Sequence, residues 1–181
     1  MNFELTANQL DAQKIARDFA ENVLNRDILD RDASARFPRE LYDEMGRMGL
    51  IGIPYPVEAG GQGGDYLSYV LSLEEISKVD ASMGITYSVC TSLFCGVIMN
   101  SDLPFEKKAE LIRPVASGKA LGSFALTEPG AGSDAAGCKT IAVKDGGGWV
   151  INGSKCFITN GPVSDYFVVF ATTDAAPGTK R

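Results

Sequence analysis

The 181-residue sequence predicts an α+β protein, with an N-terminal all-helical bundle at residues 1–119 and an incomplete antiparallel β domain at residues 120–181. Up to about residue 118, apolar residues recur at intervals of three and four, as they do on one face of a helix. From Leu121 onward, short apolar runs alternate with turns that contain glycine. With 45% hydrophobic and 22% charged residues, the composition is that of a globular protein.

The first two helices have recognisable start and stop signals. Thr6 with Gln9 forms a capping box, and the apolar period that follows it continues to about Asp30. Pro38 suits the first turn of a second helix, and Gly49 suits the position after its last turn.

A glycine-rich loop, Glu58–Asp65, precedes the third helix. It lacks the Lys-Ser/Thr ending of a phosphate-binding P-loop, so we interpret it as a tight connection. The helix itself is predicted at Tyr66–Val79, with Asp65 as its cap. Its inward residues are expected to be Leu67, Val70 and Leu71. Its outward residues are expected to be Glu74, Glu75 and Lys78.

The fourth helix, Ala81–Met99, is apolar on nearly every side, which is typical of a helix at the centre of a bundle. Its longest apolar stretch, Ile85–Met99, is interrupted by polar residues and is shorter than the roughly 20 residues that span a bilayer. We therefore expect no membrane span. A fifth helix is predicted from Pro104 to just before Gly118.

The β domain is predicted from the change of period. Strands are expected at residues 121–127, 138–144, 149–152, 155–159 and 166–172. Hairpin turns are expected at Asp145–Gly148 and at Asn152-Gly153. In this order the strands form the start of an antiparallel meander.

Charge and residue counts exclude several function classes. The net charge of −6 leaves no basic stripe for a nucleic acid. The sequence contains no histidine, which removes Ser-His and Cys-His catalysis and histidine-ligated metals. The four cysteines have no zinc spacing, so we expect buried thiols and no metal site. The N-terminal residues have no signal-peptide or transit-peptide character, which predicts a cytoplasmic protein.

One stretch, Phe124–Asp134, is hard to explain by packing alone. A predicted strand runs into a proline and two glycines within four residues, so the chain leaves the sheet in a shape that glycine permits. Backbone N–H groups beside Thr127 and Ser133 would form a concave donor surface for a phosphate or the polar edge of a heterocycle. On composition alone, a plain turn between two strands is the favoured interpretation of the stretch.

Two segments carry a resemblance to a known family. The first segment, FALTEPGAGSD at Phe124–Asp134, and the second segment, GSKCFITNG at Gly153–Gly161, resemble the signatures of the acyl-CoA dehydrogenases. These are FAD-dependent enzymes that introduce a double bond between the α and β carbons of acyl-CoA thioesters. The resemblance covers essentially the whole chain. It implies an N-terminal helical domain and part of a flavin-binding middle β domain.

The resemblance also implies roles for individual residues. Hydride from the substrate β carbon would pass to the flavin N5, toward which the Thr159 hydroxyl would donate. Ser133 would also contact the CoA arm of the substrate. Leu93, Cys95 and Met99 are candidates for selecting acyl chain length, although ordinary bundle core explains them equally well. The implied FAD-binding residues are Phe124, Ala125, Leu126, Thr127, Gly132, Ser133, Phe157, Ile158 and Thr159.

No catalytic residue is assigned within these 181 residues. Glu128 is expected to be a loop residue without a partner that tunes its pKa. Family members are about twice as long, and their C-terminal four-helix bundle, which supplies the glutamate base, has no counterpart here. We therefore expect a truncated chain without dehydrogenase turnover on its own.

The resemblance implies an acyl-CoA substrate, an electron-transferring flavoprotein as electron acceptor and a homo-oligomer. Two alternatives stay open. An acyl-CoA oxidase-like flavoprotein would differ in how fast air reoxidises its flavin. A non-catalytic fragment or interaction module would bind no flavin and would associate with a full-length relative.

Overall fold

The computed structural model of the chain describes residues 3–173. Its helical part spans residues 7–116, and its strands lie between residues 122 and 169. The helices are α1 (Ala7–Asn22), α2 (Ile28–Ser34), α3 (Arg39–Arg47), α4 (Tyr66–Val79), α5 (Ala81–Ser88), α6 (Gly96–Met99) and α7 (Phe105–Ala116). The strands are β1 (Gly122–Ala125), β2 (Ile141–Asp145), β3 (Gly148–Asn152) and β4 (Tyr166–Val169). The α+β fold class is confirmed.

Local signals placed most helix ends correctly. The Thr6 hydroxyl accepts from the Gln9 amide, and the Gln9 side chain accepts from the Thr6 amide, which is the predicted capping box. Asp65 caps α4 by accepting from the Ser68 amide at 2.7 Å. Gly49 adopts the left-handed conformation, with φ +75°, just after α3. The first helix is shorter than predicted, because a 3-10 turn at 24–27 separates α1 from α2.

The orientation of α4 was predicted correctly for Glu74 and Lys78, which are exposed, and wrongly for Leu67, Val70 and Glu75. Leu67 and Val70 are 45% and 50% exposed, whereas Glu75 is only 4% exposed. Glu75 lies against α1, where it accepts hydrogen bonds from Arg17 and Gln13. Because these partners satisfy the carboxylate, Glu75 can be buried despite its charge. The buried face of α4 therefore also carries Tyr69, Ser72 and Ile76, and not the face that the apolar spacing predicted.

The segment Ala81–Met99 is helical throughout, as predicted, but it contains an unpredicted π-helix at Val89–Cys95 between α5 and α6. The Tyr55 hydroxyl donates to the Thr91 carbonyl, and the Thr91 hydroxyl donates to the Ile51 carbonyl, so outside groups compete with the regular helical bonds. By length and composition this 19-residue segment is sufficient to cross a membrane, contrary to the length argument, yet 56% of its apolar 18-residue window is buried inside the protein.

The β domain is not a simple antiparallel meander. β2 and β3 form the predicted antiparallel hairpin over Gly146-Gly147, but β1 pairs with β4 in parallel. Beyond β4, Thr172 pairs in parallel with Ile141 at the start of β2. A parallel pair needs a long crossover, which the hairpin and the loops around it supply between β1 and β4.

The strand predicted at 155–159 and the hairpin turn at Asn152-Gly153 are wrong. Residues 153–160 are irregular, and Phe157 and Asn160 both have positive φ, which a strand does not accommodate. The strand predicted from residue 138 begins only at Ile141, because the preceding amides of Lys139 and Thr140 bond to a side chain.

The helical and β parts share one core. The Tyr42 hydroxyl of α3 donates to the Ala120 carbonyl at 2.9 Å. Gly122 of β1 lies directly on Phe94, and a Cβ at this glycine would come within 2.5 Å of the ring. This contact holds the start of the sheet against the central helix. The domain boundary near residue 119 stays a prediction.

Candidate functional site

The two segments that the sequence singled out lie side by side at the end of β1. The Cys156 amide donates to the Thr127 carbonyl at 2.9 Å, and the Ser123 hydroxyl donates to the Thr159 carbonyl at 2.8 Å. These bonds connect residues about thirty positions apart, so the second segment runs along the first instead of forming its own strand. The structure thus brings the predicted residues of both segments to one place.

Asn160 anchors the second segment to the rest of the fold. Its buried side-chain amide donates to the Gly122 carbonyl at 3.1 Å, and its carbonyl oxygen accepts from the Thr86 hydroxyl at 3.0 Å. The amide also lies 3.6 Å from the Cys90 sulfur. With φ +64°, Asn160 is left-handed, a conformation that asparagine tolerates better than most residues. Sequence reasoning missed this residue, although Asn-Gly is a common signal for left-handed backbone.

Phe157 combines two unfavourable properties. It has φ +57°, which costs a residue with a Cβ about 1–2 kcal/mol. Its side chain is also 93% exposed, the largest fraction among the exposed apolar residues of the described chain. A large aromatic residue held in this way presents a flat apolar face to the solvent beside Thr159. Strain of this kind clusters at ligand-binding sites.

The first segment makes a tight turn and then an open loop. The Glu128 and Ala131 backbones bond to each other at 2.9 and 3.1 Å, which folds Pro129-Gly130 into a two-residue loop. A Cβ placed on Gly132 would meet no atom within 4 Å. Within residues 3–173, the backbone amides of Gly132 and Ser133 find no acceptor. Both residues are exposed, in line with the exposed N–H groups that the sequence predicts for this loop.

Glu128 is not the partnerless loop residue that the sequence predicted. Its buried carboxylate accepts hydrogen bonds from Cys138 Sγ at 2.9 Å, the Lys139 amide at 2.7 Å, the Thr140 amide at 2.9 Å, the Thr140 hydroxyl and Lys155 Nζ at 2.9 Å. These donors, Cys138 and Thr140 foremost, hold the pKa of Glu128 well below its usual range.

Lys155 completes the charge balance of this cluster. Burial lowers the pKa of Lys155, but the hydrogen bonds of Lys155 to Glu128 and Cys138 raise this pKa by more than burial lowers it. The net shift of the Lys155 pKa is therefore upward. Lys155 Nζ also donates to the Leu126 carbonyl at 2.9 Å. The ion pair therefore ties the first segment to the second. The sequence signal that could have revealed this ion pair is the presence of opposite charges, Glu128 and Lys155, in the two motifs.

The remaining predicted residues differ in exposure. Ala125 is buried, and the Phe124 ring packs against Phe170 at a centroid distance of 4.9 Å. Leu126, Thr127, Ile158 and Thr159 are half-buried, whereas Gly132 and Ser133 are exposed. Of the three chain-length candidates, Cys95 lies fully in the core, Met99 packs against that core and Leu93 is partly exposed. The core interpretation therefore holds for Cys95.

Comparisons with known proteins agree with these features. The family model described as acyl-CoA dehydrogenase, N-terminal domain, matches residues 6–119, and that of the middle domain matches residues 123–181. The short-chain specific acyl-CoA dehydrogenase of Clostridium acetobutylicum is 45% identical over 180 residues, which cover 99% of this chain and 47% of that protein.

Two further relatives extend the comparison. The CarC subunit of the caffeyl-CoA reductase-Etf complex of Acetobacterium woodii is 43% identical over 93% of this chain and 44% of its own length. The structure of a glutaryl-CoA dehydrogenase from Mycobacterium smegmatis in complex with FADH2 superposes with a TM-score of 0.86 at 35% identity, over 94% of this chain and 44% of that one. The chain spans somewhat less than half the length of these relatives. It belongs to the acyl-CoA dehydrogenase family.

Proposed function

We propose that this chain forms the flavin-holding part of an FAD-dependent acyl-CoA dehydrogenase. The observation that carries the proposal is that the second segment lies against the first, through the bond of Cys156 to Thr127, and against β1, through the bond of Ser123 to Thr159. Together they present, at one edge of the sheet, an aromatic face, a hydroxyl and unsatisfied amides. These are the groups that an isoalloxazine ring and a pyrophosphate require.

The residues present fit FAD. Phe157, exposed and strained, would pack on the isoalloxazine and thereby bury its apolar face. The open amides of Gly132 and Ser133 would donate to phosphate or ring oxygens, and the space beside Gly132 leaves room for close approach. Phe124, Ala125, Leu126, Thr127 and Ile158 would complete the wall of the site. Bound FAD supplies a hydride acceptor, its N5.

The residues of the chain would orient this acceptor. The Thr159 hydroxyl would donate toward N5 and would stabilise negative charge that develops there. Its backbone is held at both sides, by Ser123 on its own carbonyl and by the buried side chain of Asn160. Ser133 would contact the CoA arm of the substrate. The named substrates of the relatives differ in their acyl groups and share CoA, which supports an acyl-CoA thioester here.

The chain is proposed to lack dehydrogenase turnover on its own, because no base for the α proton is assigned to it. Glu128 is the buried carboxylate of the first segment, but its lowered pKa and its five donors make it a poor proton acceptor. An electron-transferring flavoprotein is the proposed electron acceptor, as the name of the CarC complex suggests. A cytoplasmic location and a homo-oligomeric state are also proposed.

A reconstitution experiment tests this proposal. The 181-residue chain is incubated with FAD and desalted, and its visible absorbance is recorded before and after addition of short- and long-chain acyl-CoA. We expect retained flavin and, in a steady-state assay with an artificial electron acceptor, no turnover. A chain that retains no flavin contradicts the proposed cofactor site. Turnover at a normal enzymatic rate contradicts the absence of a base.

A further inference from the structure

The proposed function leaves one nucleophilic pair unused. Cys138 Sγ lies 3.2 Å from Lys155 Nζ, and both atoms lie 2.9 Å from the same oxygen, Oε1 of Glu128. Both side chains are nearly buried, at 9% exposure for Cys138 and 11% for the Lys155 side chain. A thiol and a primary amine are therefore already in van der Waals contact, and a carboxylate touches both.

The surrounding structure keeps the amine next to the sulfur. Lys155 Nζ is held by the Leu126 carbonyl as well as by Glu128, and Cys138 Sγ also lies 3.5 Å from the Phe170 carbonyl. The backbone just before Lys155 is fixed too, since a Cβ on Gly153 would come within 2.3 Å of the Thr140 hydroxyl. Bond formation between the two side chains would then need only local rotation of the lysine.

We propose that Cys138 and Lys155 are a site of oxidative cross-linking, in which a peroxide converts them into a covalent sulfur–nitrogen bond, a sulfenamide. In the first step the Cys138 thiol reduces hydrogen peroxide, which yields a sulfenic acid and one water. In the second step the Lys155 ammonium first loses one proton, and its nitrogen then attacks this sulfur. As the sulfur–nitrogen bond forms, the sulfenic hydroxyl leaves and takes a second proton from that nitrogen, which yields the second water. The thiol is oxidised by two electrons, and the peroxide is reduced by two.

Glu128 supports the second step. The Lys155 ammonium has no lone pair, so it must lose a proton to solvent before its nitrogen attacks, and the Glu128 carboxylate at 2.9 Å holds that nitrogen in place. The same oxygen contacts the sulfur, so the two reacting atoms are positioned around one carboxylate oxygen. Glu128 then keeps its bonds to the Lys139 and Thr140 amides, which hold it in place after the lysine has lost its charge.

The other cysteines lack this arrangement or the access. Cys90 and Cys95 are fully buried in the helical core, where burial raises the pKa of both thiols and lowers their reactivity toward peroxide. Cys156 is half-buried and adjoins Lys155 in the chain. A disulfide between Cys138 and Cys156 would remove the same two hydrogens as the sulfenamide. The variant Cys156→Ser is therefore the matched control that separates the two products.

Intact-mass and peptide analysis of the full 181-residue chain tests the proposal. After hydrogen peroxide treatment we expect a species lighter by two hydrogens, a tryptic product in which the peptides of Cys138 and Lys155 are joined, and loss of cleavage after Lys155. Dithiothreitol should restore the original mass. Lys155→Arg keeps the positive charge, so it should retain the fold, judged by circular dichroism, and lose the cross-link, whereas Cys156→Ser should form it as wild type does.

Three results would overturn the proposal. The first is wild-type chain whose Cys138 is recovered as sulfinic or sulfonic acid, or unoxidised, without the joined peptides. The second is a two-hydrogen loss that disappears in Cys156→Ser, which would indicate a disulfide. The third is joined peptides that persist in Lys155→Arg. None of these readouts depends on bound FAD, so the proposal can fail independently of the proposed function.

Discussion

Replacement of Asn160 by alanine should destabilise the protein more than any other single change at the proposed site. The substitution removes the Asn160 partner of the Gly122 carbonyl, at 3.1 Å, and of the Thr86 hydroxyl, at 3.0 Å. The Gly122 carbonyl then keeps only the weak donor Cys90 Sγ, at 3.6 Å. Each unsatisfied buried group costs about 1–3 kcal/mol, and alanine in the left-handed region adds about 1 kcal/mol. With partial relaxation, we expect the free energy of unfolding to fall by about 3–4 kcal/mol.

The matched variant Asn160→Gly separates the two causes. It removes the same amide but tolerates φ +64°, so it should be about 1 kcal/mol more stable than the alanine variant. Urea unfolding followed by circular dichroism measures both values, with unchanged m-values as the check on two-state behaviour. The reasoning is refuted if Asn160→Ala loses less than about 1 kcal/mol, since one unsatisfied group alone should cost that much. Equal stabilities of the two variants would refute the backbone contribution.

Three other changes test separate parts of the structure. Phe157→Gly should relieve the left-handed strain and raise the free energy of unfolding by about 0.5–1 kcal/mol in urea, while it weakens FAD binding; loss of stability would contradict the strain. Arg17 chiefly lowers the pKa of Glu75, to about 2 from its ordinary 4.5. The stabilisation that this ion pair contributes is complete above pH 4.5 and is lost as the pH falls toward 2. Glu75→Gln should therefore make the urea midpoint depend less on pH in this acid range. An unchanged pH dependence would argue against the ion pair. Gly122→Ala places a Cβ 2.5 Å from Phe94 and should cost about 1–3 kcal/mol, which a thermal melt would detect; a neutral result would mean that the ring moves freely.

Local chemistry explains why much of the helical part could be predicted. The capping box at Thr6, the Asp65 cap and the glycine after α3 act within a few residues, so the sequence alone contains them. The face of α4 could not be predicted in the same way. Glu75 is buried because Arg17, far along the chain, reaches it, and periodicity contains no information about such a partner.

The structure of the β domain depends even more on contacts between residues that lie far apart in the sequence. The composition of residues 155–159 suits a strand, but Lys155 turns its side chain to Glu128, and Asn160 fixes a left-handed turn with bonds to β1 and α5. The parallel pairing of β1 with β4 likewise depends on a crossover that short-range patterns do not define. The motif residues were located by resemblance, whereas the Glu128 cluster that joins the two segments required the structure.

The most direct test of the account is a titration of FAD into the 181-residue chain, followed by quenching of flavin fluorescence. Phe157→Ala is compared with wild type and with Phe105→Ala, which removes another exposed aromatic ring, on α7 and outside both segments. The account predicts saturable quenching in wild type and in Phe105→Ala, and an affinity at least about tenfold lower in Phe157→Ala, since loss of aromatic stacking costs about 1–3 kcal/mol. Indistinguishable titrations of wild type and Phe157→Ala, whether both bind FAD or neither does, would contradict it.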